Sequence, residues 1–98
     1  MIVHIVFFKF NEEGKTSNIQ QVKTLLENLV DKIEPLKSME VGVNFTESER
    51  AFDMSLYSTF ETKDGLKTYA KHEEHLKVLE FIKSVVSETK VVDYEVAS

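Results

Sequence analysis

Among the three histidines and three tyrosines of this 98-residue sequence, types that move protons near neutral pH or steady an oxygen as it gains charge, four are candidates for chemistry: His4, Tyr69, His72 and His75. An imidazole titrates close to neutrality and serves as general acid or base. A phenol can donate a hydrogen bond to a carbonyl that is becoming an enolate. Three of the four fall in Tyr69-Ala70-Lys71-His72-Glu73-Glu74-His75. His72 and His75 stand within one helical turn, but a zinc-protease motif sets its histidines four apart and a catalytic zinc wants a third ligand. No metal is therefore expected at the pair. His4 alternates with Ile2, Val6 and Phe8 and shares their face of a strand. An imidazole among apolar neighbours needs a partner for its ring nitrogens, and Tyr69 or His75 could be that partner. Spacing alone favours plainer readings: Tyr69 as a core aromatic whose hydroxyl reaches the surface, His75 as a helix N-terminal residue, His72 as a solvent-facing residue near a helix break, and His4 as a satisfied core histidine.

Composition removes several other classes. With no cysteine there is no disulfide, thiolate nucleophile or cysteine-ligated metal. Three widely separated glycines make neither a phosphate-binding loop nor a dinucleotide fingerprint, and no Gly-x-Ser-x-Gly elbow occurs. A formal charge of -5 without any Lys/Arg cluster argues against nucleic acid and against an anionic membrane surface as partners. No apolar run reaches the ~18 residues of a membrane-spanning helix. Met1 to Phe10 lacks the basic start and the small-residue cleavage site of a signal peptide, so a cytoplasmic location is expected. Hydrophobic residues at 42% and charged residues at 30% predict an ordinary globular chain, a single domain over residues 1–98.

The elements that must position these side chains follow from periodicity. Residues 2–10, rich in β-branched and aromatic types, predict a strand with two apolar faces. One carries Ile2, His4, Val6, Phe8 and Phe10; the other carries Val3, Ile5 and Phe7. Ser17 with Gln20 predicts a capping box, followed by a helix with Ile19, Val22, Leu25, Leu26, Leu29, Val30 and Ile33 on one face and Pro35 as its stop. Met39, Val41, Val43 and Phe45 alternate as a half-buried strand. After a charged turn at Glu47 to Arg50, residues 52–60 alternate as its hairpin partner. Thr62 predicts a cap for a second helix, which runs through His72 and His75 into Leu76, Leu79, Ile82, Val85 and Val86. Lys90 to Val96 reads as a last strand. The order β-α-β-β-α-β is that of the α+β, ferredoxin-like sandwich. Its two helices cover one sheet face, leaving the other, with Val3, Ile5, Phe7, Tyr57 and Val91, to be buried in a homodimer.

Four stretches carry a resemblance to a known family: His4 to Phe10, Phe52 to Glu61, Tyr69 to Leu76 and Val91 to Tyr94. Together they resemble the stress-responsive α/β-barrel domain family (Dabb) over nearly the whole chain. The Tyr-x-x-His-x-x-His piece is the most specific part. The resemblance implies a homodimer whose two ferredoxin-like sheets close into a dimeric α/β barrel. It also implies that Tyr69 and His75, with His4, match the tyrosine and histidines with which a plant polyketide cyclase of the family promotes an aldol-type cyclisation without a cofactor. His72 matches the other histidine of the motif. Where that cyclase lines its pocket with aromatics on the first helix, this chain offers Val22 and Leu26, and Glu73 stands where many relatives carry proline.

The expectation is thus a homodimer with a small hydrophobic pocket in each subunit. Val6, Phe8, Leu56 and His72 would be ligand-binding residues, and Tyr69, His75 and His4 catalytic ones. The ligand would be a small carbonyl-bearing or phenolic molecule, transformed by cyclase- or isomerase-like acid–base chemistry with no cofactor. Two other readings stand beside it: a non-catalytic, stress-associated binding or stabilising dimer, and a cofactor-free monooxygenase.

Overall fold

β-branched and aromatic residues dominate Ile2–Phe10, and this segment forms the first strand, β1. The computed structural model describes residues 1–97; Ser98 lies outside them. Helix α1 (Lys15–Glu27) follows, then β2 (Leu36–Val43), β3 (Met54–Phe60), α2 (Lys63–Lys71), α3 (Glu73–Val85) and β4 (Val86–Glu95). The strands form one antiparallel sheet in the order β2-β3-β1-β4, with β2 and β3 as the predicted hairpin. This is the ferredoxin-like arrangement, with its second helical segment divided in two.

β1 lies between β3 and β4, so its register sets both faces. His4 stands opposite Ser58 and Asp93, and Val6 opposite Leu56 and Val91. Successive side chains alternate across a strand. The face with Ile2, Phe8, Phe10, Leu56 and Phe60 packs against Val22 and Leu26 of α1, Tyr69 of α2 and Val78 and Ile82 of α3. The opposite face carries no helix and has Phe7, Tyr57, Val92 and Tyr94 all exposed, although Val3, expected to be open there, is buried. The face assignment of β1 and β3 thus follows the predicted alternation. Val91, expected on the uncovered face, belongs to the helix side because it pairs with Val6; Val92, opposite Ile5, takes its place.

Several boundaries differ from the sequence reading, each for a local reason. The capping box at Ser17 and Gln20 does not form. Gly14, at φ 69°, supplies the left-handed turn that starts α1 earlier, and its carbonyl accepts from the Asn18 N–H at 2.9 Å. The helix also stops well before Pro35. After Glu27 the chain tightens into a 3₁₀ turn over Asn28–Asp31, where Leu29 remains buried. β2 therefore begins at Leu36, and the ladder closes at Val43 opposite Met54. Phe45 continues the alternation past the end of the sheet and is 97% exposed. Phe52, predicted as strand, lies before β3 and packs against Phe7 with ring centroids 6.3 Å apart. β4 begins directly after α3, because Val86 already pairs with Phe10.

Helix α2 starts where Thr62 predicts. The Thr62 Oγ1 accepts from the Gly65 N–H at 2.9 Å, and Asp64 sits in the first turn at the positive end of the dipole. Replacing Thr62 with Ala is expected to lower unfolding stability by about 1 kcal/mol, with Thr62→Ser retaining most of it, as measured by urea denaturation.

Candidate functional site

The helix predicted to run continuously through the histidine motif breaks at His72. That residue adopts extended geometry (φ -64°, ψ 138°) and becomes the N-cap of α3. Its Nδ1 accepts from the Glu74 N–H at 3.0 Å, so the ring is occupied with its own helix terminus. Glu73 and Glu74 fill the first turn, where negative charge suits the dipole.

The break turns His75 back towards the end of α2. Its Nδ1 lies 3.1 Å from the Ala70 carbonyl oxygen. A carbonyl only accepts, so Nδ1 carries the proton and Nε2 of the neutral ring keeps its lone pair. The ring packs on Tyr69, with centroids 4.4 Å apart. Tyr69 also meets Phe60 at 5.2 Å and His4 at 6.4 Å, so one aromatic cluster joins β1, β3, α2 and α3. On β1, the His4 Nδ1 is hydrogen-bonded to the Asp93 carboxylate on the neighbouring strand. That carboxylate fixes the ring's tautomer and orientation, as an acid does for a working histidine. The buried Ser58 hydroxyl donates to the His4 carbonyl at 3.1 Å, holding the backbone from the other side.

These groups border a cavity of about 460 Å³. His4, Tyr69 and His75 form one end of its lining. Val6, Phe8 and Leu56 of the sheet, Leu26 of α1, and Leu79, Ile82 and Lys83 of α3 line it further, together with Val86 to Thr89 and Val91 of β4. Among the residues singled out from sequence, the structure therefore brings His4, Val6, Phe8, Leu56, Tyr69 and His75 together. It does not bring His72, which caps α3 and is absent from the lining. Of the two first-helix residues, Leu26 lines the cavity and Val22 lies buried in the core.

The electrostatics of the two key groups are opposed to charge. Tyr69 is 1% exposed, and its hydroxyl finds no hydrogen-bond partner among the described residues. Burial raises its pKa well above the usual phenol range, so it stays protonated and able to donate. Burial also lowers the His75 pKa from the ordinary 6.5, an effect partly offset by the Ala70 carbonyl and reinforced by the nearby His4 and His72. A neutral base and a neutral donor thus stand side by side at neutral pH. Asp93 was not legible as a site residue before the β1–β4 register placed it opposite His4. No periodicity signal marks it; only the antiparallel pairing does.

The stress-responsive A/B barrel domain family matches residues 2–96 of the chain. The chain belongs to that family. A stress-response A/B barrel domain-containing protein of Arabidopsis thaliana is 30% identical over 98 residues, covering 97% of this chain and 86% of the plant protein. A dimeric ferredoxin-like protein of Bacteroides fragilis is 32% identical with a TM-score of 0.89, over 97% of this chain and 95% of that one. A hydroxynitrile lyase of Passiflora edulis shares the fold, with a TM-score of 0.87 over 98% of this chain and 93% of that one, at 17% identity. Among the described residues no helix is long and apolar enough to cross a membrane.

In this A/B barrel domain the Tyr69 hydroxyl sits buried with no partner among the described residues, an arrangement that costs on the order of 1–3 kcal/mol. Tyr69→Phe removes the hydroxyl and keeps the ring. It is expected to raise the melting temperature, by roughly 4–8 °C per kcal/mol regained in a chain of this size, as followed by calorimetry. A lower melting temperature would mean that the hydroxyl serves the fold.

Proposed function

We propose that the cavity binds a small apolar molecule carrying a carbonyl group and moves a proton at the carbon next to that carbonyl. One observation carries this reading: the Tyr69 hydroxyl, buried and unpartnered, lies in the same aromatic cluster as His75, whose Nε2 is free to accept a proton. A carbonyl oxygen of a bound ligand would satisfy the hydroxyl. The His75 Nε2 would then take the adjacent C–H proton, the electron pair would move onto oxygen as an enolate, and the Tyr69 O–H would stabilise that charge. His4, oriented by Asp93, would orient the ligand or pass the proton on. Reprotonation at carbon gives exchange or isomerisation, and attack of the enolate on a second carbonyl of the same molecule gives cyclisation. A phenolic molecule suits the same groups as a product or an inhibitor. At 17% identity the Passiflora protein bears on the fold alone, but it is an instance of this fold carrying an enzyme activity.

Proton–deuterium exchange next to the carbonyl of acetophenone-type ketones, followed by NMR, tests the reading without knowledge of the natural substrate. The wild-type protein is expected to accelerate exchange, and Tyr69→Phe and His75→Ala to lower it roughly 10²-fold while remaining folded. The active form has His75 neutral, and its pKa is lowered. Activity is therefore expected to persist as pH falls through 6.5 and to decline only below it. Exchange no faster than in buffer, or unchanged in both variants, would sink the proposal.

We further propose that the chain acts as a homodimer through its uncovered sheet face. Exposed Phe7, Tyr57, Val92 and Tyr94 support this, as does the dimeric relative at 32% identity. Water contact there forgoes roughly 25 cal/mol per Å² of apolar surface, which a second sheet would recover. The face lies on the opposite side of the sheet from the cavity, so pairing leaves the cavity accessible. Sedimentation of Phe7→Glu is expected to show a monomer where the wild-type chain sediments as a dimer. A monomeric wild-type chain would remove the dimer and leave the cavity reading to its own test.

A further inference from the structure

Lys83 also lines the cavity and has no part in the proposed proton transfer. On α3, His75, Leu79 and Lys83 follow at four-residue spacing and all line the cavity, so one helix face runs from His75 to Lys83. Two turns and a little more separate them, about 12 Å of helix rise. Leu79 stands between them on the helix, and Ile82 and Val86 add apolar surface to the lining.

A lysine in the last turn of a helix suits the dipole wherever its side chain points, so its presence there is uninformative. Its surroundings carry more. Among the described residues no carboxylate lies within ion-pair distance of Lys83. The acid that shares the cavity lining, Glu88, is engaged by Lys90 at 3.2 Å. The cavity lining therefore includes a lysine with no ion-pair partner among the described residues, together with His75, Tyr69 and a set of apolar side chains.

We propose that Lys83 is a specificity-determining residue that pairs with a carboxylate at the far end of the ligand, making the substrate class a small apolar keto acid. The two functional groups of such a molecule would stand on the order of 10 Å apart, set by the rise of α3 between His75 and Lys83. This rests on the reading of the cavity as a carbonyl site. It adds what that reading lacks, a means of choosing among apolar ketones and of fixing which end enters first. An ammonium at the rim of an apolar cavity also draws an anion in and fixes its orientation without demanding a planar fork.

Isothermal titration with 4′-acetylbiphenyl-4-carboxylate, whose carbonyl and carboxyl carbons stand about 10 Å apart to match the helix rise, and with its methyl ester tests the proposal. The two differ only in the charge at the end away from the acetyl carbonyl. The wild-type protein is expected to bind the acid about tenfold more tightly than the ester. Lys83→Met should bring the ratio close to one, and Lys83→Arg should keep it. Lys83 is exposed, so both variants are expected to fold, which the melting temperature checks. Tyr69→Phe should weaken both probes alike and leave the ratio unchanged, which separates the two ends of the site. Equal wild-type affinity for the two probes, or a preference that survives in Lys83→Met, would overturn the role of Lys83 and leave the carbonyl site standing. Binding of neither probe would overturn both.

Discussion

The placement of β1 between two antiparallel neighbours is the constraint on which the rest depends. A strand hydrogen-bonded on both edges cannot slip on one side without breaking the other, and a one-residue slip would move every side chain to the opposite face. Its register puts His4 between Ser58 and Asp93, Val6 between Leu56 and Val91, and Phe8 beside Met54. One alternation thus delivers an oriented imidazole and apolar wall to the helix side, and Ile5 and Phe7 to the side the helices leave open. Cavity and uncovered face are two consequences of the same nine residues.

The break at His72 is the second determinant. A continuous helix would carry Tyr69 and His75 along one straight axis, six residues apart. The extended residue at the junction instead folds the start of α3 back against the end of α2, and His75 reaches the Ala70 carbonyl and stacks on Tyr69. His72 thereby has a structural role: it caps α3 at the turn, and the turn brings the other two side chains together. Its place in the motif is explained without its touching the cavity.

Stability and chemistry pull apart at this site. A buried phenol with no partner among the described residues weakens the folded state relative to phenylalanine, and an imidazole disfavoured in its charged form does so as pH falls below 6.5. The surrounding core, with Phe60, Leu26, Val22 and Ile33 almost wholly buried, over-determines their positions and holds them there. Such local costs, concentrated beside a cavity in a chain otherwise well packed, fit the proposed carbonyl site.

Much of this was written in the chain itself. The alternation of residues 2–10 and 52–60, the Thr62 cap and the β-α-β-β-α-β order follow from local periodicity and turn chemistry, which act over a few residues and so can be read from a few residues. The grouping of His4, Tyr69 and His75 was reachable because strand alternation and helical spacing both point them at one layer, and because the motif resembles a known family. Other features depended on partners distant in sequence. Val91 changed faces because pairing with Val6, rather than its own neighbours, decides its side. Asp93 became the partner of His4, and Lys83 joined the cavity lining, only when β4 and α3 were laid against the sheet. Local sequence determined which elements form; the long-range register, set by hydrogen bonds between strands almost ninety residues apart in the chain, decided which side chains meet.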